Sequence, residues 1–271
     1  MELLSAEYDL SIRKQCELLS ICRSSYYYKQ EFLDESEVAN KIRDIYLSSD
    51  CRYGYRKISA GLSSFGILAN HKKVYRMMRD IGLQGLYPKK KLHTSTSNKD
   101  HDKYPYLLNE IMIDVPNKVW ATDITYIKIK DRFMYFIAVI DLYSRYILSY
   151  ELSHNMEVEF CILALQRALA RGKPSIFNSD QGSQFTSHVF LKALKELGVE
   201  ISMDHRGRCF DNIYVERLWR TLKQESIYYY RPETISELEK CIDEFVPWYN
   251  NERLHQGLGY KTPKEVYFSI N

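Results

Sequence analysis

The spacing of apolar residues becomes strand-like in the middle of the chain. Apolar and polar residues alternate over Val119–Ile129, residues 133–142 are almost all apolar, and residues 146–152 alternate again. Alternation is typical of strands with one buried face, and the short spacers between these runs favour antiparallel neighbours. The pattern predicts a three-stranded antiparallel meander whose middle strand is the most buried.

Helical and strand-like segments alternate after this meander. Residues 157–171 and 188–197 show helical spacing, residues 175–179 and 199–203 read as short strands, and a further helix holds Glu216. The order βββαβαβα predicts an α/β protein with a ribonuclease-H-like mixed sheet, in which helices cover both faces.

Two short all-α segments precede this core. The first, within residues 1–30, shows a weak helix-turn-helix pattern. The second, within residues 36–88, has a helix over 58–65, a break at Gly66 and a second helix that Asn70 can cap. We expect this second segment to be a helix-turn-helix DNA-binding domain.

The helix that follows Asn70 is amphipathic. Its apolar and cationic residues fall on opposite sides: Val74, Met77, Met78 and Ile81 against Lys72, Arg76 and Arg79. An apolar back and a cationic front suit a recognition helix that faces DNA. A plain amphipathic surface helix would show the same pattern, so both interpretations stay open.

Charge is distributed unevenly along the chain. The whole sequence of 271 residues has a formal net charge of only +3, but residues 37–103 contain 14 Lys or Arg against 6 Asp or Glu. Such a local excess is expected of a surface that meets phosphate backbones, although a solvated helical face would also explain it.

The cysteines and the apolar runs argue against a zinc-binding, secreted or membrane protein. The six cysteines are scattered without zinc-ligand spacing, so we expect reduced thiols. The first ten residues lack the apolar stretch of a secretory signal, and no run approaches the roughly 20 apolar residues of a membrane helix. We therefore expect a cytoplasmic protein.

Three carboxylates have contexts that suit a divalent metal. Asp123 lies inside a strand, Asp180 follows a strand and Glu216 lies on a helix, and these elements can converge in the predicted fold. Mg²⁺ prefers oxygen ligands and keeps several waters, so a few carboxylates suffice. Two Mg²⁺ ions about 4 Å apart, with Mn²⁺ as a substitute, could support in-line displacement at phosphorus.

The helix of Glu216 also offers donors for DNA phosphates. Arg220 and Lys223 follow Glu216 at i+4 and i+7, and Asn212 precedes it at i−4, so all share one face. A salt-bridged structural helix would look similar.

Other acidic and tail residues are candidates with simpler explanations. We interpret Asp141 as a turn residue and Asp211 as an N-cap. Asp204 could be an outer-sphere group of the metal site, but a loop role is favoured. Glu225 is a further rival carboxylate. In the tail, Trp248, Tyr249, Arg253 and His255 could contact DNA, but a core role is favoured for the aromatic side chains.

The tail itself is predicted to be helical. A helix over 236–254 should be kinked or interrupted at Pro247, and Thr262-Pro-Lys-Glu has the form of a capping box.

Four motifs together resemble the DDE transposases of bacterial insertion sequences, in the retroviral integrase superfamily. They are Trp120-Ala-Thr-Asp-Ile-Thr-Tyr, Val139-Ile-Asp-Leu-Tyr-Ser-Arg, Asn178-Ser-Asp-Gln-Gly-Ser-Gln-Phe-Thr-Ser and Asp211-Asn-Ile-Tyr-Val-Glu-Arg-Leu-Trp. The 35 residues between Asp180 and Glu216 match the interval typical of this group, and Lys223 matches a basic position of the family.

The resemblance implies an activity and partners. Asp123, Asp180 and Glu216 would bind Mg²⁺, cut the ends of a mobile element and let the freed 3′-OH attack target DNA. Synapsis of two ends implies a homo-oligomer. A partner or fusion from an upstream reading frame is also expected, because the family's end-binding module is not recognised in this chain.

We divide the chain accordingly into five parts. Residues 1–30 and 36–88 are the helical segments, 89–112 a basic polar linker, 113–230 the integrase catalytic core and 231–271 its C-terminal helical extension. A nuclease of the same fold that only hydrolyses, or a regulatory remnant that binds DNA without catalysis, are the alternative functions.

Overall fold

A computed structural model describes residues 10–23, 27, 35–86, 104–130, 132–204 and 212–269. Most of the expected basic linker and the predicted N-cap Asp211 lie outside the described residues. The described N-terminal residues include the helices α1 (Ile12–Leu18), α2 (Glu35–Ser48), α3 (Tyr55–Ser64) and α4 (His71–Asp80).

Helices α2, α3 and α4 form a small bundle. One apolar cluster joins them, and it includes Ile42, Ile58, Leu62, Val74 and Met78. The Asn70 side chain accepts a hydrogen bond from the backbone N–H of Lys72 at 2.9 Å, which confirms the predicted cap of α4. The bundle has one more helix, α2, than the sequence pattern predicted within residues 36–88.

The sheet has five strands in the order β3-β2-β1-β4-β5. They are β1 (Val119–Ile129), β2 (Arg132–Asp141), β3 (Ile147–Ser153), β4 (Ile176–Ser179) and β5 (Glu200–Met203). β1 and β3 pair antiparallel with β2, whereas β4 pairs parallel with β1 and with β5. The mixed sheet and its antiparallel meander are as predicted.

Helices cover both faces of the sheet. They are α5 (Val158–Leu169), α6 (His188–Glu196), α7 (Ile213–Leu222), α8 (Ile235–Asn251) and α9 (Pro263–Phe268), with 3₁₀ turns at Leu108–Glu110 and Gln256–Leu258. One core cluster lies between the sheet and α7 and α8, and a second lies between the sheet and α5 and α6. After Leu222, α7 continues through a π-helical segment, Lys223–Ile227, and a last turn, Tyr228–Tyr230.

The tail helix is predicted to be kinked or interrupted at Pro247, and the interruption does not occur. Helix α8 runs through Pro247 and is not interrupted there. Phe245, Val246 and Tyr249 are buried beside it, and this packing offsets the hydrogen bond that proline cannot donate. The capping box at Thr262 and Glu265 is present as predicted.

The N-terminal bundle contacts the end of α8. The Tyr53 hydroxyl donates to the carbonyl of Glu252 at 3.1 Å and accepts from the N–H of Leu254 at 3.0 Å. The Arg52 guanidinium lies 4.2 Å from the ring centre of Trp248. These contacts join the bundle to the α/β core.

In the part of the chain that the structure describes, no helix has both the length and the apolarity to cross a membrane. The cysteines described there, Cys16, Cys22, Cys51, Cys161 and Cys241, are free thiols.

Candidate active site

The register of β1 against β4 places two carboxylates next to each other. Ala121 pairs with Asn178 in the parallel ladder, and two residues further along each strand stand Asp123 and Asp180. Neighbouring strands lie about 4.8 Å apart, so the two side chains leave the sheet close together. The charge of Asp180 accordingly acts on Asp123 and raises its pKa.

Asp123 is the deeper member of this pair. Burial is the main cause that raises its pKa to about 7, and repulsion by Asp180 adds to it. The indole Nε1–H of Trp219 donates to Asp123 Oδ2 at 2.8 Å and acts in the opposite direction. The ionised form of Asp123 is therefore unfavourable without a counter-ion. This is expected of a carboxylate that binds a cation.

Asp180 lies at the exposed end of β4. Its Oδ1 accepts from the backbone N–H of Gly182 at 2.9 Å, while surrounding protein still raises its pKa by desolvation. A Cβ atom at position 182 would stand 2.9 Å from Asp180 Oδ1. Gly182 therefore lets the chain turn tightly against the carboxylate, a role that sequence analysis missed although the Asp-Gln-Gly motif contains it.

Glu216 lies in the first turn of α7, on the side that contacts β1. On the same helical face, Asn212 Nδ2 donates to the carbonyl of Thr122 at 3.2 Å, and Lys223 Nζ donates to Thr125 Oγ1 at 2.7 Å. Trp219, which bonds Asp123, lies between them. Glu216 shares the helical face whose residues bond β1, and its side chain is exposed.

Asp123, Asp180 and Glu216 do not form a three-ligand metal site in this structure. Among the described residues, no three His, Cys, Asp or Glu side chains lie close enough together to hold a metal ion. Asp123 and Asp180 follow paired positions of β1 and β4, and Glu216 lies on α7, the helix whose Trp219 bonds Asp123.

Amide oxygens add acceptor capacity next to this pair. Asn178 precedes Asp180 by two residues and its Nδ2 donates to Asp204 Oδ1 at 2.7 Å, while Asn178 Oδ1 is buried without a hydrogen-bond partner. Asn212 Oδ1 is likewise buried without one. Acceptor oxygens without hydrogen-bond partners, next to carboxylates that repel each other, are suited to a hard cation and its bound waters.

The rival carboxylates differ in what they contact. Asp141 is fully buried and accepts from the backbone N–H groups of Asn117 and Ser144, which confirms its structural role in the turn. Asp204 follows β5 and is held by Asn178, yet its charge contributes to the raised pKa of Asp123. That effect could not be read from the sequence.

Glu225 is engaged in a buried ion pair. Both of its oxygens accept from the Arg253 guanidinium, at 2.8 and 2.7 Å, and this partner overcomes desolvation and lowers the pKa of Glu225. Arg253 also lies 3.3 Å from His255 Nε2. Burial, with Arg253 next, lowers the pKa of His255 to about 2, so its imidazole is neutral. Arg253 and His255 are partly buried, and the His255 ring packs edge to face on the buried Tyr249 with centroids 4.8 Å apart.

The cations expected to contact DNA have different surroundings. Lys72, Arg76 and Arg79 are exposed on α4, and Arg76 pairs with Glu35 at 3.0 Å. Arg220 is exposed on α7. Lys223 is partly buried and is held by Thr125.

Family models match most of the chain. Two models, both described as integrase core domain, match residues 114–209 and 197–263, and a model described as HTH-like domain matches residues 33–91. The matches cover the bundle α2–α4, the sheet and α7.

Curated relatives are similar over nearly their full length. The chain is 31% identical to the InsK protein of insertion sequence element IS150 from Escherichia coli, covering 90% of this chain and 89% of the relative. It is 33% identical to the transposase for insertion sequence element IS904 from Lactococcus lactis, covering 84% of this chain and 92% of the relative.

A solved structure supports the fold. The chain superimposes on an integrase chain of the simian T-cell lymphotropic virus intasome, solved in complex with the PP2A regulatory subunit B56 gamma, with a TM-score of 0.53 and 19% identity. The superposition covers 84% of this chain and 74% of the viral chain. At this identity the likeness supports the architecture alone.

Proposed function

The chain belongs to the DDE transposases of insertion sequences, in the integrase superfamily, and on that premise we propose that Asp123, Asp180 and Glu216 are its catalytic carboxylates. The enzyme is a polynucleotidyl transferase that cleaves the ends of an insertion sequence and joins the 3′-OH to target DNA. The single observation that carries the assignment of residues is the adjacency of Asp123 and Asp180, with Glu216 on the helix that bonds Asp123.

The proposed cofactor is a pair of Mg²⁺ ions, for which Mn²⁺ can substitute. Asp123 and Asp180 would hold them, with Glu216 as the third ligand, since these groups supply oxygen donors and their mutual repulsion favours a cation. Bound there, the ions would activate the attacking oxygen and stabilise the leaving oxygen of an in-line displacement.

The protein's own residues orient the reaction. Trp219 fixes the Asp123 carboxylate through its indole N–H, and Gly182 fixes that of Asp180 through its backbone N–H. Arg220 and Lys223, on the helix of Glu216, would hold DNA phosphates beside the carboxylates. The scissile phosphate and the 3′-OH are thereby positioned without a covalent enzyme intermediate.

The helical bundle is proposed to bind the element ends. Lys72, Arg76 and Arg79 form an exposed cationic face on α4, and backbone contacts from such a face position a recognition helix. The proposed partners are element ends, target DNA, further copies of this chain during synapsis and a product of an upstream reading frame. Such an enzyme would work at the bacterial nucleoid.

A joining assay tests this function. Purified full-length protein, Mg²⁺ and DNA that carries the element's terminal repeats should give nicked and joined products. Asp180→Asn should give neither, because it removes a metal-binding charge. Glu196→Gln, which changes an exposed carboxylate on α6, is the matched control and should retain activity.

The products also separate the alternatives. Cleavage without joining would favour a hydrolytic nuclease. DNA that is bound but left intact by the unmodified protein would favour a regulator, and activity that persists in Asp180→Asn would refute the assigned site.

A further inference from the structure

Two aromatic side chains are exposed on the sheet close to the candidate active site. Tyr126 on β1 is 63% exposed and Phe133 on β2 is 50% exposed. Their rings meet edge to face, with centroids 5.7 Å apart. An aromatic pair in a sheet normally contributes to stability because it is buried. Two exposed rings in contact therefore indicate a binding surface.

Two ammonium groups accompany these rings. Lys128 pairs directly with Phe133 across the strands and shares the face of Tyr126, where it is exposed. Lys223 Nζ, held by Thr125, lies 5.0 Å from the ring centre of Tyr126. We call Tyr126, Phe133, Lys128 and Lys223 the aromatic platform.

The platform is next to the carboxylates along β1. Asp123 precedes Tyr126 by three residues, a distance of about 10 Å along an extended strand. The two side chains point to opposite faces of β1, but β4 pairs with β1 only over residues 119–121. Among the described strands, β1 is therefore unpaired on this edge from Thr122 onward, and Lys223 crosses the edge to reach Tyr126.

Charge decides between possible occupants. A surface for a second copy of this chain would be expected to be mainly apolar at its centre and poor in lysine. The platform instead combines stacking surfaces with cations, the combination that binds single-stranded nucleic acid. A DNA strand that crosses β1 beyond its pairing with β4 could place a phosphate at the carboxylates and a neighbouring base on the rings.

We propose that Tyr126 and Phe133 form a stacking platform for an unpaired DNA base next to the reacting phosphate, with Lys128 and Lys223 holding the adjoining phosphates. This inference rests on the proposed function and identifies the form of DNA that the site accepts, which is a duplex end with unpaired nucleotides. Enzymes that act on DNA inside a duplex commonly take a base out of the stack to do so.

The experiment compares DNA ends with and without an unpaired tail. The full-length protein is titrated with a blunt duplex and with the same duplex carrying a short single-stranded tail that contains 2-aminopurine. Tyr126→Leu and Phe133→Leu keep apolar bulk and remove the rings. We expect each to weaken binding of tailed DNA by roughly 5- to 150-fold, with little change for blunt DNA, and to abolish the quenching of 2-aminopurine.

The control is Leu163→Ala, which alters an exposed apolar residue on α5 and should leave both affinities unchanged. Equal losses for blunt and tailed DNA, or unchanged quenching in the Leu variants, would overturn the proposal. If the Leu variants lose self-association but bind tailed DNA normally, the aromatic platform is a protein interface. That result would also refute the proposal.

A variant that keeps an aromatic ring tests the proposal even if the Leu variants do not fold. Tyr126→Trp retains a stacking ring, and its added indole emission should fall on binding tailed DNA but not blunt DNA. An emission that does not respond contradicts the platform. Failure of the proposed function is distinguishable, because it appears as joining by Asp180→Asn, whatever the platform variants do.

Discussion

The indole N–H of Trp219 donates to the Asp123 carboxylate over 2.8 Å and ties helix α7 to strand β1. Trp219 lies one turn after Glu216, so the bond sets the position of the helix that carries the third carboxylate. The same ring packs edge to face on Phe136 at 5.5 Å, which anchors the donor in the core. A single side chain therefore orients Asp123 and locates Glu216.

Replacing Trp219 with Phe should separate these roles. Phe keeps much of the packing but has no donor, so the Asp123 carboxylate loses a charge-assisted hydrogen bond. Such bonds contribute about 1.5–3 kcal/mol, and we expect the joining rate to fall by roughly 10- to 100-fold. Initial rates measured beside melting temperatures check this. A rate that falls only in proportion to lost folded protein would refute the orienting role.

Removing the charge of Asp123 should stabilise the metal-free protein. Asp123→Asn abolishes a buried charge that faces Asp180, so the melting temperature in EDTA should rise at pH 8. Added Mg²⁺ should stabilise the unmodified protein and have little effect on the variant. Scanning fluorimetry with and without Mg²⁺ provides the measurement, and an equal Mg²⁺ effect on both proteins would count against a site at Asp123.

His255 and Glu225 should each contribute a loss of stability as the pH falls, in two separate ranges of pH. The folded-state pKa of His255 is about 2, below the ordinary 6.5, so the unfolded chain takes up the proton first and stability falls as pH drops below about 6.5. Glu225 has a lowered pKa, so its contribution is present above the ordinary 4.5 and is lost as pH falls further.

His255→Gln isolates the first range. As the pH falls from about 6.5 to 5, the variant should lose less unfolding free energy than the unmodified protein does, while the contribution of Glu225 below pH 4.5 is retained. Urea unfolding at a series of pH values measures both. An unchanged slope in the upper range would show that His255 is not held neutral by its surroundings.

Charge reversal on α4 should weaken DNA binding without unfolding the bundle. Lys72→Glu and Arg79→Glu alter exposed side chains, so stability should change little. If each contacts a phosphate, the slope of log affinity against log salt should fall by about 1 per substitution. Anisotropy titrations at several salt concentrations test this, with Lys192→Glu on α6 as control. A slope equal to that of the control variant would remove α4 from the DNA surface.

Much of the architecture was predictable because it depends on local pattern. Alternation over Val119–Ile129 predicted β1 with the bounds that the structure shows, and the Asn70 cap predicted the start of α4. Helix α2 was missed although Val38, Ile42 and Ile45 recur at helical spacing and are buried. The helical spacing of these residues indicates α2 from the sequence alone.

Other features depend on contacts between distant segments. The bond from Trp219 to Asp123 and the ion pair of Glu225 with Arg253 arise only when α7, β1 and α8 are docked. The persistence of α8 through Pro247 likewise reflects packing that overrides local preference. The absence of a cluster of three carboxylates among the described residues could not be read from spacing, because spacing does not specify how a helix is oriented.

Calorimetric titration of Mg²⁺ into the full-length protein bound to a DNA end tests the central claim most directly. We predict a stoichiometry of two Mg²⁺ ions per protein. Each of the variants Asp123→Asn, Asp180→Asn and Glu216→Gln should bind one ion or none. Absence of Mg²⁺ uptake by the unmodified complex, or uptake that all three variants retain, would contradict the account.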